Sequence, residues 1–295
     1  MEIAPPAVKH ATAFGVSCGA GAALFWAIGF VAARQGVDVG MSPLILALHR
    51  FLWPGLVLLP LVAREGFADF RKLGWRRALI LTLVGGLPQA VLSYAGYLLV
   101  PLGHGGVIQP ACASLCGLLL ASVVLREPLP PRRIAGALAI VAGLAIIGAE
   151  ALRTIGAHGL LGDFMFAAAG CSFATFGMLL RRWRIEPMPA VAMTSVISLL
   201  GLPIVLLGLG NPADTGLFEN LLQAVVQGVF AGAGAIYLFT RSVGLLGASR
   251  AAVFPSLVSP FTLLIGFMAL GVVPSAYQLA GLLVVLVGFR LTQQS

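Results

Sequence analysis

Arg50 stands inside the apolar stretch ALHRFLW (Ala47 to Trp53). It lies about seven residues into its run, so at 1.5 Å per residue its charge sits about 10 Å below a membrane surface. A guanidinium there costs at least ~3 kcal/mol unless it faces protein or water. Two roles are open to it: paired N–H donation to a carboxylate, or a gating or structural role on the carbonyls of a neighbouring helix. Further along, Gln89, Ser93 and Tyr97 recur at intervals of four, a polar stripe on an otherwise apolar helix, with Tyr94 beside it. Gln109, Cys112 and Cys116 recur at three and four, and Gln223, Gln227 and Tyr237 are the polar positions of a later run. Such groups need partners in hydrocarbon, so these faces turn inward. They either tie helices together or line a cavity that hydrogen-bonds a polar metabolite while Trp26, Tyr94 and Tyr237 pack its apolar part. Several stripes converging favour the cavity. Pro110 and Pro255 each remove an N–H at matching places in two runs, as hinges or as passive bends.

The same residues exclude other chemistries. No Asp or Glu falls in the middle of an apolar run; Glu127, Glu150 and Asp163 lie near the ends. Proton coupling would have to draw on Asp163, His49 or His104, and movement down a gradient is the simpler expectation. Ser249 in GASR (Gly247 to Arg250) has no matched His to activate it. All four cysteines, Cys18, Cys112, Cys116 and Cys171, fall within apolar runs without zinc or disulfide spacing. Neither a catalytic residue, a metal site nor a cofactor is expected.

These residues sit in a chain of 295 that is 59% hydrophobic and 9% charged, against roughly 25% charged in soluble proteins. The sequence divides into ten apolar runs, each near the length of about 20 residues that crosses a bilayer: 13–33, 43–63, 77–100, 103–125, 132–149, 160–180, 190–209, 221–239, 248–270 and 274–291. Their continuous apolarity, without period-two alternation, excludes a β-barrel. The predicted fold class is an all-α polytopic membrane protein.

Net charge is +8, but the basic residues are spread over short connections, which speaks against nucleic acid. With the N-terminus inside, eighteen Lys and Arg less Arg34, Arg50 and Arg153 leaves fifteen on the cytoplasmic side. That bias predicts a multi-pass inner-membrane protein with both termini cytoplasmic. The segment REGFADFRKLGWRR (Arg64 to Arg77) is expected to lie along the headgroups of the lipid bilayer.

The chain also repeats itself. LREPLPPRRIAG (Leu125 to Gly136) aligns with LGVVPSAYQLAG (Leu270 to Gly281) at an offset of 145, with Pro110 on Pro255, Ser114 on Ser259 and Gly143 on Gly288. At an offset of 147, Gly15 aligns with Gly162, Ala27 with Ala174 and Arg34 with Arg181. Each copy holds five runs, and five is odd, so the second copy must be inverted. The expected architecture is ten transmembrane helices as two inverted five-helix repeats, 1–151 and 152–295. The first linker carries Arg126, Arg132 and Arg133 because it lies inside, and the second lacks charge because it lies outside. Glu127 then reads as a partner for these arginines.

GAALFWAIGFVAAR (Gly21 to Arg34), PLILALHR (Pro43 to Arg50), the Pro110 helix followed by LREP, and the same layout in the second half resemble the EamA-type family of the drug/metabolite transporter superfamily. Val272 and Phe173 depart from the acidic residue and the Trp that this pattern has in its second copy. The resemblance implies ten-helix carriers, many of them exporters of amino acids or related metabolites, with a cavity between helices 1, 3, 4, 6, 8 and 9. The expectation is a carrier for a small amphipathic metabolite, not an enzyme, exporting by alternating access. Substrate-binding candidates are Trp26, Gln89, Ser93, Tyr94, Tyr97, Gln109, Cys112, Gln227 and Tyr237; Arg50, Pro110 and Pro255 are gating or structural. The rival class is a membrane-embedded enzyme acting on lipid-linked substrates, against which stands the lack of clustered carboxylates or a nucleophile with its base. Small residues at Gly136 to Gly143 and Gly281 to Gly288 permit close helix approach, within the bundle or in a homodimer, although a monomer suffices for transport.

Overall fold

The computed structural model describes residues 6–64, 68–126, 130–203, 215–246, 251 and 254–293. Glu127, the GASR segment and part of the Arg64 to Arg77 segment lie outside them. All regular structure among the described residues is helical. Among the described residues, seven helical stretches, Trp75–Gly96 taken as one, are long and apolar enough to cross a membrane, and three shorter apolar helices accompany them.

The first half contains α1 (Pro6–Asp38), α2 (Pro43–Arg64), the short α3 (Ala68–Leu73), α4 (Trp75–Gly85), α5 (Leu87–Gly96), α6 (Leu102–Leu125) and α7 (Pro131–Thr154). The second contains α8 (Ala157–Trp183), α9 (Pro187–Ser198), α10 (Gly216–Gln223), a π-helical segment (Ala224–Gly234), α11 (Ala235–Leu246), α12 (Val258–Leu270) and α13 (Ala276–Gln293).

Three elements depart from the sequence reading. The run expected from Arg77 to Val100 breaks into α4 and α5 at Gly86, whose φ of −105° and ψ of −148° leave the helical region. Gly85 and Gly86 hold the chain weakly in a helix, and Pro88 brings no N–H to continue the ladder. The run expected over 221–239 is longer, from Gly216 to Leu246, and its middle winds as a π-helix. Pro110 lies inside α6 as expected, whereas Pro255 lies in a 3-10 turn, Phe254–Leu257, that precedes α12. Pro255 is therefore no copy of the Pro110 bend. With Pro260 five residues on, this stretch lacks two N–H donors that a longer α-helix would need.

The packing is paired. α1 lies against α11 and α12, and α8 lies against α5 and α6; α2 meets α9, and α7 meets α13. Helix ends repeat in the same way. The αL residue that stops α6 is Arg126 (φ 57°), and the one that stops α12 is Gly271 (φ 66°), 145 residues later. Gly adopts this conformation without strain, whereas Arg adopts it at some cost and brings a positive charge to a helix C-terminus, where the dipole favours it.

The α7–α13 seam shows why small residues are required. A Cβ on Gly136 would meet the Gly288 carbonyl at 2.7 Å, and one on Gly288 would meet the Gly136 carbonyl at 2.7 Å. Gly143 and Gly281 repeat this reciprocal contact, at 2.7 and 2.9 Å. In lipid, association gains from such backbone approach rather than from the hydrophobic effect.

Gly143→Ala should therefore destabilise the protein by about 1–3 kcal/mol, the range of core overpacking. Gly148 lies on the same helix with nothing within 4 Å of an added Cβ. Gly148→Ala should leave the thermal midpoint in detergent unchanged or slightly raised; equal loss in both variants would refute this account of the seam.

Candidate functional site

The polar residues of the bundle meet where α1, α2, α5, α6 and the π segment come together. Gln223 and Gln227 are fully buried, so their amides must bond within protein. Gln223 Nε2 donates to the Ala32 carbonyl at 2.7 Å and to Gln35 Oε1 at 3.2 Å. Gln227 Nε2 donates to the Gly29 carbonyl at 2.8 Å, with Gln223 Oε1 at 3.4 Å. Gln35 Nε2 in turn donates to Glu219 Oε2 at 2.9 Å. The result is a polar ladder down one side of α1.

Small residues bring the π segment this close. An added Cβ on Gly29 would meet Ala231 Cβ at 2.5 Å, and Cβ atoms on Gly228 and Gly232 would meet the carbonyls of His49 and Arg50 at 3.1 and 3.2 Å. π-Helical turns are rare and recur at functional sites.

From the ladder the network reaches α5 and α2. Tyr94 donates its hydroxyl proton to Gln227 Oε1 at 2.8 Å, and Arg50 approaches the Tyr94 hydroxyl at 3.5 Å. One residue earlier, Ser93 Oγ donates to Gln109 Oε1 of α6 at 2.5 Å. Among the described residues no carboxylate pairs with Arg50, and the Gln109 amide nitrogen makes no hydrogen bond. A half-buried cation and a free amide donor thus stand in an apolar bundle.

The other predicted residues separate. Gln89 donates to the Ala169 carbonyl at 3.3 Å and joins α5 to α8. Tyr97 packs edge-on against Phe166 at 4.8 Å. The α5 stripe therefore divides among three neighbours rather than facing one cavity. Trp26 packs on Phe239 at 5.5 Å. Cys112 lines an apolar fissure of about 210 Å³ between α6, α7 and α8, with Ile108, Leu144, Phe164 and Asp163. Tyr237 stands apart, 53% exposed on α11.

Three arrangements were not legible in the sequence. Arg34, expected merely to lie outside, bonds the carbonyls of Tyr97 and Val100 at 2.8 and 3.0 Å and pairs with Asp38 at 2.6 Å. It thereby fixes the end of α1 to the α5–α6 junction. His49 accepts from Trp53 Nε1 through Nδ1 and donates through Nε2 to Asn220 Oδ1, both at 3.0 Å, which defines its neutral tautomer. His104, Asp163 and Glu150 converge where α6, α7 and α8 meet. The acids had been noted near helix ends, but residues tens of positions apart give no sign in sequence that they will touch. Among the described residues no three His, Cys, Asp or Glu side chains converge as metal ligands would.

The EamA-like transporter family matches the chain twice, over residues 13–149 and 160–293. The chain belongs to that family. Its two matched segments take in the two paired sets of helices. A solved crystal structure, titled only as that of a protein, aligns over 96% of this chain and 96% of its own, with a TM-score of 0.65 and 19% identity. That similarity concerns the fold. No curated protein matches the sequence. The EamA-like family is a family of membrane transporters, and this chain is accordingly a multi-pass membrane protein of transporter type.

The Tyr94–Gln227 bond is testable by a double-mutant cycle. Tyr94→Phe or Gln227→Leu alone leaves a buried polar atom without its partner, at about 1–3 kcal/mol. The double variant should lose less than the sum, with a coupling of roughly 0.5–1.7 kcal/mol, as for hydrogen bonds between membrane helices. Strict additivity in thermal unfolding would show that the two groups do not interact.

Proposed function

We propose that this EamA-like protein is a carrier of small amphipathic metabolites bearing a carboxylate, with amino acids and their relatives as the substrate class. One observation carries the reading: Arg50 lacks an acidic partner among the described residues and lies on the Tyr94 hydroxyl, while next to Tyr94 the Ser93 hydroxyl holds the Gln109 carbonyl oxygen and leaves the Gln109 amide nitrogen free to donate. An unpaired guanidinium in a low-dielectric bundle favours a carboxylate over a neutral group, and its planar fork binds one through two N–H bonds. Neighbouring hydroxyls and amides suit an amino or amide group, and the apolar helix faces suit a side chain.

In this reading ten helical crossings form two inverted halves, 1–151 and 152–295. Exchange of the two halves' conformations carries the site from one face of the inner membrane to the other. The basic residues of the connections place both termini in the cytoplasm. Export is the direction in keeping with the transporters that the family resembles, and one chain contains the whole pathway.

Proteoliposomes loaded with radiolabelled amino acids provide the test. Gln109→Ala and Tyr94→Ala should each slow flux by about tenfold or more, equivalent to one lost hydrogen bond of ~1.4 kcal/mol, with expression and monodispersity unchanged. Arg50→Gln should lower flux of amino acids far more than flux of the corresponding decarboxylated amines. Normal flux in both alanine variants would remove the site from consideration.

A further inference from the structure

The bundle buries a second polar cluster away from Arg50, at the end where α1 finishes, α5 passes into α6, and α7 turns into α8. His104, in the first turn of α6, is 1% exposed, and Asp163 of α8 is 8% exposed. His104 Nδ1 lies 2.8 Å from Asp163 Oδ1, and its Nε2 lies 3.8 Å from Glu150 Oε2 of α7. Both ring nitrogens therefore face carboxylates, as an imidazolium with two N–H donors would require. Asp163 Oδ2 is buried without a hydrogen-bond partner, and so is Glu150 Oε2, which faces His104 from beyond hydrogen-bond distance.

Charge accounting shows what is missing. Two carboxylates around a neutral imidazole carry two negative charges; an imidazolium leaves one, and one further proton leaves none. Arg34 is held by Asp38 and the carbonyls of Tyr97 and Val100. Arg153, one turn beyond Glu150, donates to the Tyr277 hydroxyl at 3.0 Å. His158 in the first turn of α8 is exposed. Tyr97 of α5 is buried with its hydroxyl unpartnered, Gln278 of α13 lies against Gly103, and α12 carries no titratable group. Asp163 also borders the apolar fissure, where the titratable group beside it is the Cys112 thiol, which brings no positive charge. Nothing within the cluster's described surroundings supplies the compensating cation.

We propose that His104, Asp163 and Glu150 together form a proton-binding site of this carrier, one that ties the ends of α6, α7 and α8 to its proton occupancy. The proton belongs to the cluster rather than to one residue, as in other tightly interacting sets. When the imidazole is charged it attracts a carboxylate from each neighbouring helix and holds three helices together. When it is neutral the two carboxylates face each other across it, and Glu150, at 3.8 Å, has the weaker hold. His49 is unsuited to this role because Trp53 occupies its second nitrogen. The cluster also has no copy in the other half: the aligned positions are Val16, Ser249 and Ser295. Protonation therefore acts on one end of the bundle only.

The coupling rests on the carrier reading above, so the test separates them. The full chain in nanodiscs is stepped from pH 8 to pH 5.5 and followed by infrared difference spectroscopy of the carboxyl C=O band and by a pH-indicator dye. Wild type should take up about one proton more per chain than Asp163→Asn or Glu150→Gln; Glu150→Gln guards against failure of the Asp163 variant to fold. Equal uptake and equal spectra in wild type and both variants would overturn the site. In proteoliposomes, an imposed pH gradient should change wild-type amino-acid flux at least tenfold, with Glu150→Gln transporting at the ungraded rate. Flux indifferent to the gradient in wild type would overturn the coupling. No flux of any amino acid, with the differential proton uptake intact, would leave the proton site standing and refute the substrate class.

Discussion

Hydrocarbon offers a polar group nothing, and that constraint fixes where the helices of this protein can stand. Two glutamines four residues apart, Gln223 and Gln227, are fully buried and reach the Ala32 and Gly29 carbonyls of α1. Once those bonds are made, α1 and the π segment have one relative height and rotation. Tyr94 then donates to Gln227, and the Arg50 guanidinium lies against Tyr94. The centre of the bundle follows from satisfying a few amides away from water.

Two kinds of seam result, and they differ in how easily they can be remade. The α7–α13 seam consists of glycine backbone against glycine backbone, where a slip of one residue would bring a larger side chain against a carbonyl. The α1–π–α5 seam consists of side-chain hydrogen bonds, each worth only ~0.6 kcal/mol on average between membrane helices because other partners can replace them. Under the carrier reading proposed above, a substrate's carboxylate, amine or water shell would be such a replacement. The first seam is thus a frame and the second an exchangeable surface, although both lie in the same apolar solvent.

The sequence shows most of the apolar runs and the duplication directly, because each leaves a local trace, run length and a colinear offset of 145; Gly spaced by seven shows that helices can approach closely but not whether they do so within the bundle or in a dimer. It also shows that Gln89, Ser93 and Tyr97 share one helix face. It does not show that α8 and α6 converge on that face, so that Gln89 bonds Ala169, Ser93 bonds Gln109 and Tyr97 packs on Phe166. Partners of a stripe depend on helix rotation, which hydropathy does not encode. The π segment was equally invisible, since its sequence AVVQGVFAGAG has the composition of an ordinary apolar helix. Tyr237 illustrates the limit from the other side: polar by type, it stands on the exposed face of α11, where an amphipathic ring is tolerated.

Duplication sets up a contest that the side chains then decide. Arg126 and Gly271 end corresponding helices in the same αL conformation, although the stretches before them differ, with Pro110 inside a helix and Pro255 in a 3-10 turn. Under the carrier reading proposed above, two inverted arrangements would lie close in energy, and a few kcal/mol from any unpaired feature would be enough to bias one over the other. The triad of His104, Asp163 and Glu150 has no counterpart at Val16, Ser249 and Ser295. On that reading, chemistry present in one half and missing from the other is where a direction would enter.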